Sequence, residues 1–201
     1  MPAEIREPKQ KRSIETKKKI VKAAYKLFSE VGYYATNTAE IAKAAGVSTG
    51  IVYGYFKDKR DILLDVSEVY IAKVYDPLLK MLDSVEPGTT TSDLVVFFLD
   101  GAINAHKKNA KIHEALHSLT HTDEAVNAKF IALEDDITEQ FSNKFAGIGF
   151  PPEGLQEKVH LAMNVIQSFA HEYIYDKHEY IDYEKMRADV TRILIELFKT
   201  A

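Results

Sequence analysis

The segment HEALHSLTH, residues 113–121, holds His113, Glu114 and His117 in the order H-E-x-x-H. On a helix, residues four apart share a face, so His113 and His117 can hold one zinc ion while Glu114 acts as general base on its bound water. That is the chemistry of a zinc protease. The extended form of the signature needs a glycine and a third histidine downstream, and those places hold Thr120 and Asp123. Seven histidines in 201 residues also make a chance match common, and His113, His117 and His121 recur every fourth residue, which equally describes one polar edge of an ordinary helix. The competing readings are histidines facing a ligand pocket and surface or satisfied interior histidines. The expectation is no catalytic residue, no metal and no cofactor.

The elements around this segment are helical nearly throughout. Residues 1–12, with Pro2, Pro8 and charges of both signs, read as a flexible basic arm. From Ser13 a stripe of Ile20, Ala24, Leu27, Phe28 and Val31 marks a buried helix face that Gly32 stops. Asn37 stands three residues before Glu40, a capping-box spacing that opens TAEIAKAA, and Gly46 ends it. Ser48 caps a further short helix reaching about Phe56, and Asp58 with Asp61 caps the next, which runs to Leu82.

Residues 86–93 read as a loop with Thr91 or Ser92 as the cap of a helix through Val95, Phe98, Leu99, Ala102 and Ile103. Another helix spans about 110–120, and Asp123 caps one with Val126, Phe130, Leu133, Ile137 and Phe141 on one face. The last two cover about 155–178 and 183–199. No strand-like alternation of useful length appears.

With 46% hydrophobic residues the chain can bury a real core, and it has no cysteine for disulfides or thiolate metal sites. No apolar leader or membrane-length run is present, so the expectation is a soluble, cytoplasmic protein without a membrane partner. The net charge of -4 hides an asymmetry: residues 1–60 carry 13 Lys/Arg against 6 Asp/Glu, whereas residues 61–201 carry 13 against 24. A segregated basic segment is the footprint of a nucleic-acid binder, although a solvated charged face or a tail has the same composition.

Two short helices joined by AGVS have the geometry of a helix-turn-helix, whose second helix enters the major groove. Gly46 supplies the left-handed turn, Ser48 caps the recognition helix with its N–H groups toward a phosphate, and Gly50 lets the backbone approach DNA. Gly32, Tyr33, Thr36, Asn37, Ile41, Ala42, Ala45, Gly46, Val47, Ser48, Gly50, Tyr53, Tyr55, Phe56, Lys59 and Leu63 together resemble the DNA-binding domain of the TetR family of bacterial transcriptional regulators. The likeness covers residues 14 to about 64 and departs at Ile51, where the family often has Thr, and at Val52, where it often has Leu. Gly54 also removes a side chain beside the groove, leaving fewer direct base readers.

The resemblance implies an all-α fold: a three-helix helix-turn-helix domain over 13–58, then a helical ligand-binding and dimerisation domain over 59–201. It implies that Thr38, Thr49, Gly50 and Tyr53 lie against bases or phosphates and that Lys59 grips a phosphate. Ser48 and Tyr55 join that set, with packing between helices as the alternative for both tyrosines. It further implies a homodimer on a palindromic double-stranded operator, most simply a repressor, released by a small-molecule inducer. The inward stripes nominate Tyr70, Phe98, His113, His117, Phe130 and Phe169 as cavity lining. Met163, Ile166, Ala170, Ile174, Val190, Ile193, Leu194 and Leu197 are the candidate dimer seam, with an intramolecular core as the alternative. The competing functions are a zinc-dependent hydrolase built on HEALH and a ligand-independent DNA-binding protein.

Overall fold

A computed structural model describes residues 11–86 and 88–199. In chain order it forms α1 (Lys11–Glu30), α2 (Thr38–Ala45), α3 (Thr49–Tyr53), α4 (Lys59–Leu82), α5 (Thr91–Lys108), α6 (Ala110–Thr120), α7 (Glu124–Gly147), α8 (Leu155–Tyr175) and α9 (Tyr183–Phe198). Among the described residues there is no strand, so the fold is all-helical. Most of the expected arm, residues 1–10, lies outside the described residues, but Lys11 and Arg12 are already the first turn of α1.

The helices pack as two compact units, with α4 and α7 supplying residues to both. The first comprises residues up to Ala72 together with Asn109–Ile131. Ile20, Ala24 and Phe28 lie four residues apart on α1, face inward and are fully buried. The Ile20 and Phe28 side chains each contribute roughly 1.5–3 kcal/mol on transfer from water. Ile41, Val52, Phe56, Ile62 and Leu63 join them in the core, and α1 packs against both α2 and α6. The division of roles drawn from the sequence places α6 with the regulatory part, whereas by packing it belongs with the helix-turn-helix. Tyr25 Oη donates to Asn109 Oδ1 at 3.0 Å, and the Arg60 guanidinium pairs with Asp123, whose carboxylate also caps α7.

The second unit comprises Lys73–Lys108 and residues from Ala132 onward. Here α5, α8 and α9 pack on one another around Leu99, Phe169 and Leu194, which are buried. The cap of α5 is Thr90, not Thr91 or Ser92: its Oγ1 accepts the Asp93 N–H at 3.2 Å, and its own N–H donates to Asp93 Oδ2 at 2.9 Å. Adjacent hydroxyls are equivalent in sequence; only Thr90 stands three residues before a carboxylate that returns the bond.

Candidate nucleic-acid interface and C-terminal cavity

The turn between α2 and α3 is specified residue by residue. Asn37 is extended, its Oδ1 accepts the Glu40 N–H at 3.0 Å, and Glu40 Oε2 accepts the Asn37 N–H at 2.9 Å, completing the expected capping box. Such a cap stabilises a helix by about 1 kcal/mol. At the other end of α2, Gly46 sits at φ 68°, a left-handed conformation that an L side chain rarely adopts. The Gly46 N–H donates to Lys43 O and the Val47 N–H to Ala42 O, so the chain reverses with its last carbonyls satisfied. Ser48 then accepts the Ile51 N–H on its Oγ at 3.3 Å and starts α3.

This turn orients the five residues of α3. Val52 is fully buried against the core, while Gly50, Ile51 and Tyr53 are exposed and Thr49 is half-buried. Thr38 opens α2 half-buried, next to the capping asparagine. Ser48 serves as the cap the sequence indicated. Tyr55 is half-buried and its Oη lies 2.8 Å from Ser13 Oγ, so its hydroxyl ties the segment after α3 to α1.

Lys59 is held in place rather than free. Its ammonium donates to Tyr33 O and Thr36 O, each at 2.8 Å, and lies 4.3 Å from the centroid of the Tyr33 ring. Burial holds its pKa below the usual lysine range, with Glu40 pulling the other way. The same burial, reinforced by Asp58, pushes the Tyr33 phenol up. An ammonium has three donors, and two are spent on carbonyls of the loop before α2. Lys43 and Lys57 are exposed.

The histidines of α6 form a ladder of rings. His113 and His117 have ring centroids 5.9 Å apart, His117 and His121 5.1 Å, and Tyr70 Oη lies 3.3 Å from His113 Nδ1. Glu114 and His117 are exposed. Among the described residues no group of three or more His, Cys, Asp or Glu side chains is placed to hold a metal ion.

The second unit contains a cavity of about 710 Å³, part of it open to solvent. Of the six residues nominated as lining, Phe98 lies on it. Phe169 is packed into the core of the same unit, and Tyr70, His113, His117 and Phe130 belong to the other unit. The wall is instead built by Phe141 and Phe145, one turn apart on α7, with Phe150 and Phe198 closing on them; the Phe145 ring lies 5.2 Å from Phe150 and 5.8 Å from Phe198. Gly101 permits the approach of α5 to α4, since a Cβ there would meet Leu78 Cδ2 at 2.8 Å, and Leu78 is itself part of the lining. The Phe141 and Phe145 pair, continuing the stripe from Ile137, was the sequence signal available for this wall. Nothing local marks Gln167 or Tyr75, yet Gln167 Nε2 donates to Tyr75 Oη at 2.6 Å on the lining.

Burial divides the candidate seam residues. Ala170, Val190 and Leu194 are buried within the chain itself, Met163 and Ile166 line the cavity, and Ile174 and Leu197 are half-buried. Ile193 is 54% exposed, and Leu161, which the sequence reading did not select, is 50% exposed. No helix among the described residues is long and apolar enough to cross a membrane.

Residues 20–66 match the family of bacterial regulatory proteins, tetR family. The HTH-type transcriptional regulator HbdR of Aromatoleum sp. (strain CIB) is 57% identical over 49 residues, which cover 24% of this chain and 21% of that protein. The HTH-type transcriptional regulator AcrR of Shigella flexneri is 28% identical over 105 residues, covering 51% of this chain and 49% of its own. The match thus spans at most about half the length of these relatives. Across 94% of this chain the fold is similar to a crystal structure from Mesorhizobium loti MAFF303099, described as a TetR-family transcriptional regulator, with a TM-score of 0.68, 15% identity and 97% of that chain covered.

Proposed function

We propose that the chain, whose residues 20–66 match the tetR family of bacterial regulatory proteins, is a helix-turn-helix transcriptional regulator of that family, not an enzyme, and acts as a ligand-responsive repressor. In this reading it binds a palindromic operator as a homodimer in the cytoplasm and leaves the operator when a small molecule fills its second unit. The observation that carries the reading is α3, capped by Ser48, anchored by Val52 and exposing Gly50, Ile51 and Tyr53. A helix held this firmly by its buried side presents base-reading groups at little entropic cost.

The remaining roles follow from geometry. Thr38, Thr49, Gly50 and Tyr53 contact bases or phosphates, while Ser48 and Tyr55 act by positioning α3. Lys59 offers its third N–H to a phosphate from a position fixed by Tyr33 O and Thr36 O. Ile193 and Leu161, exposed on α9 and α8, form the centre of the seam with a second copy, flanked by Ile174 and Leu197. α4 carries Lys59 at its start and Tyr75 and Leu78 on the cavity, so a ligand that shifts α4 changes the spacing of two recognition helices. A coupling of roughly 1 to 3 kcal/mol lowers operator affinity about 5 to 150-fold.

Selection of bound sites from random duplex DNA tests this directly. An inverted repeat with half-sites about one helical turn apart, or a multiple of it, is expected. Recovery of no motif, or of an unpaired half-site bound by a monomer, overturns it. Ile193→Glu should give monomers by sedimentation and abolish binding to the selected repeat.

A further inference from the structure

The cavity's chemistry goes further than its existence. Its wall is aromatic, with Phe98, Phe141, Phe145, Phe150, Phe198 and Tyr75, and no lining side chain is charged or is a histidine. The polar handle lies where Gln167 donates to the Tyr75 oxygen at 2.6 Å, which leaves the tyrosine O–H as a donor toward an occupant. We infer that this cavity takes an uncharged, largely apolar aromatic molecule carrying one hydrogen-bond acceptor, read by the Tyr75–Gln167 pair, and rejects the corresponding carboxylate. The inference rests on the reading of the second unit as the ligand-receiving part of a regulator.

Two independent features exclude an anionic head group. Desolvating a carboxylate costs far more than its apolar frame gains unless a cation or several donors meet it, and the lining holds no cation. The charged group whose field acts on Tyr75 is also an acid. Glu134 lies four residues before Thr138 and seven before Phe141 on α7, and its field helps to push the Tyr75 phenol up to about 12, burial being the larger cause. Burial also raises the Glu134 carboxyl, opposed by His160. An anion at the Tyr75 end would therefore meet like charge. A cation would feel some attraction from Glu134, but no lining side chain is a carboxylate, so its desolvation is not offset there. The Tyr75 ring sits edge-on to Phe141 with centroids 5.9 Å apart, which fixes the plane of the ring.

The test uses the full chain and four probes on one frame: phenylbutanol, phenylbutanoate, phenylbutylammonium and butylbenzene. Affinity is read by calorimetry and operator release by a separate DNA-binding assay. The alcohol should bind at least tenfold tighter than the carboxylate and than the ammonium. Tyr75→Phe should lower alcohol affinity about fivefold while leaving butylbenzene within twofold, and Gln167→Leu should do the same more weakly. Carboxylate or ammonium binding as tight as the alcohol, no binding by any probe, or equal losses for alcohol and butylbenzene in Tyr75→Phe would each overturn the inference. The two readings separate cleanly. Selective alcohol binding that leaves the operator complex intact keeps the cavity chemistry and removes the regulatory reading, whereas release by the carboxylate does the reverse.

Discussion

The two compact units solve the problem of stability differently. The helix-turn-helix unit has a closed core with Ile20, Ala24, Phe28, Ile41 and Val52 at or near zero exposure, tied across by polar contacts: Lys17 with Asp65 at 2.6 Å, Arg60 with Asp123, and Lys59 on two carbonyls. The second unit rests on aromatic packing around space that is not filled. A part that must present a helix in one orientation gains from contacts that fail if displaced, because hydrogen bonds are directional and close-packed cores are stiff. A part that must admit a molecule cannot be packed to completion. Under the proposed function the contrast between the two cores follows from these two tasks, and it can be attacked by substitution.

The largest effect expected is in the filled core. Phe28→Ala should cost about 3–5 kcal/mol in denaturant unfolding, since a fully buried ring leaves a cavity its neighbours cannot close. Phe145→Ala should cost about half as much, because one side of that ring already faces empty space. Equal losses at the two sites would break the contrast.

A smaller effect is titratable. Burial raises Tyr75 to about 12 in the folded chain against an ordinary value of 10.0. A group whose pKa is raised by folding stabilises the fold below its unfolded value, and that contribution is lost as pH rises through the folded one. Stability should thus fall between about pH 10 and 12 by on the order of 2–3 kcal/mol. Tyr75→Phe should remove that part of the slope in pH-dependent melting; an unchanged slope would mean that the hydroxyl is already solvated.

On the other side of the comparison, Lys59→Ala should lower stability by about 1–2 kcal/mol, discounted for partial exposure, and weaken all DNA sequences alike. The slope of log affinity against log salt should shrink by about 1. Stability lost with the salt slope intact would make the lysine a tie between the α4 start and the loop before α2, and nothing more. The smallest change is Asn37→Ala, about 1 kcal/mol through the lost cap, read as a lower melting temperature with phenylbutanol affinity unaltered.

What was legible in the chain was local. Asn37 with Glu40, Gly46 and Ser48 act within three or four residues of one another, so spacing alone predicts the bonds they make. The same locality left the α6 histidines undecided: a shared helix face was visible, but what that face meets is set by other helices, and His117 is exposed. Of the nominated lining only Phe98 reached the cavity, because choosing large inward residues on each helix cannot say which helices converge.

The helices, their caps and the helix-turn-helix follow from residue order alone, since these depend on hydrogen bonds and periodicities of a few residues. Packing settles the rest: α6 lies against α1, Ala170, Val190 and Leu194 are spent on the chain's own core, and Tyr75 on α4 meets Gln167 on α8. Those contacts join residues up to 92 positions apart. They are selected by how rigid helices fill space together, which no single stretch of sequence encodes.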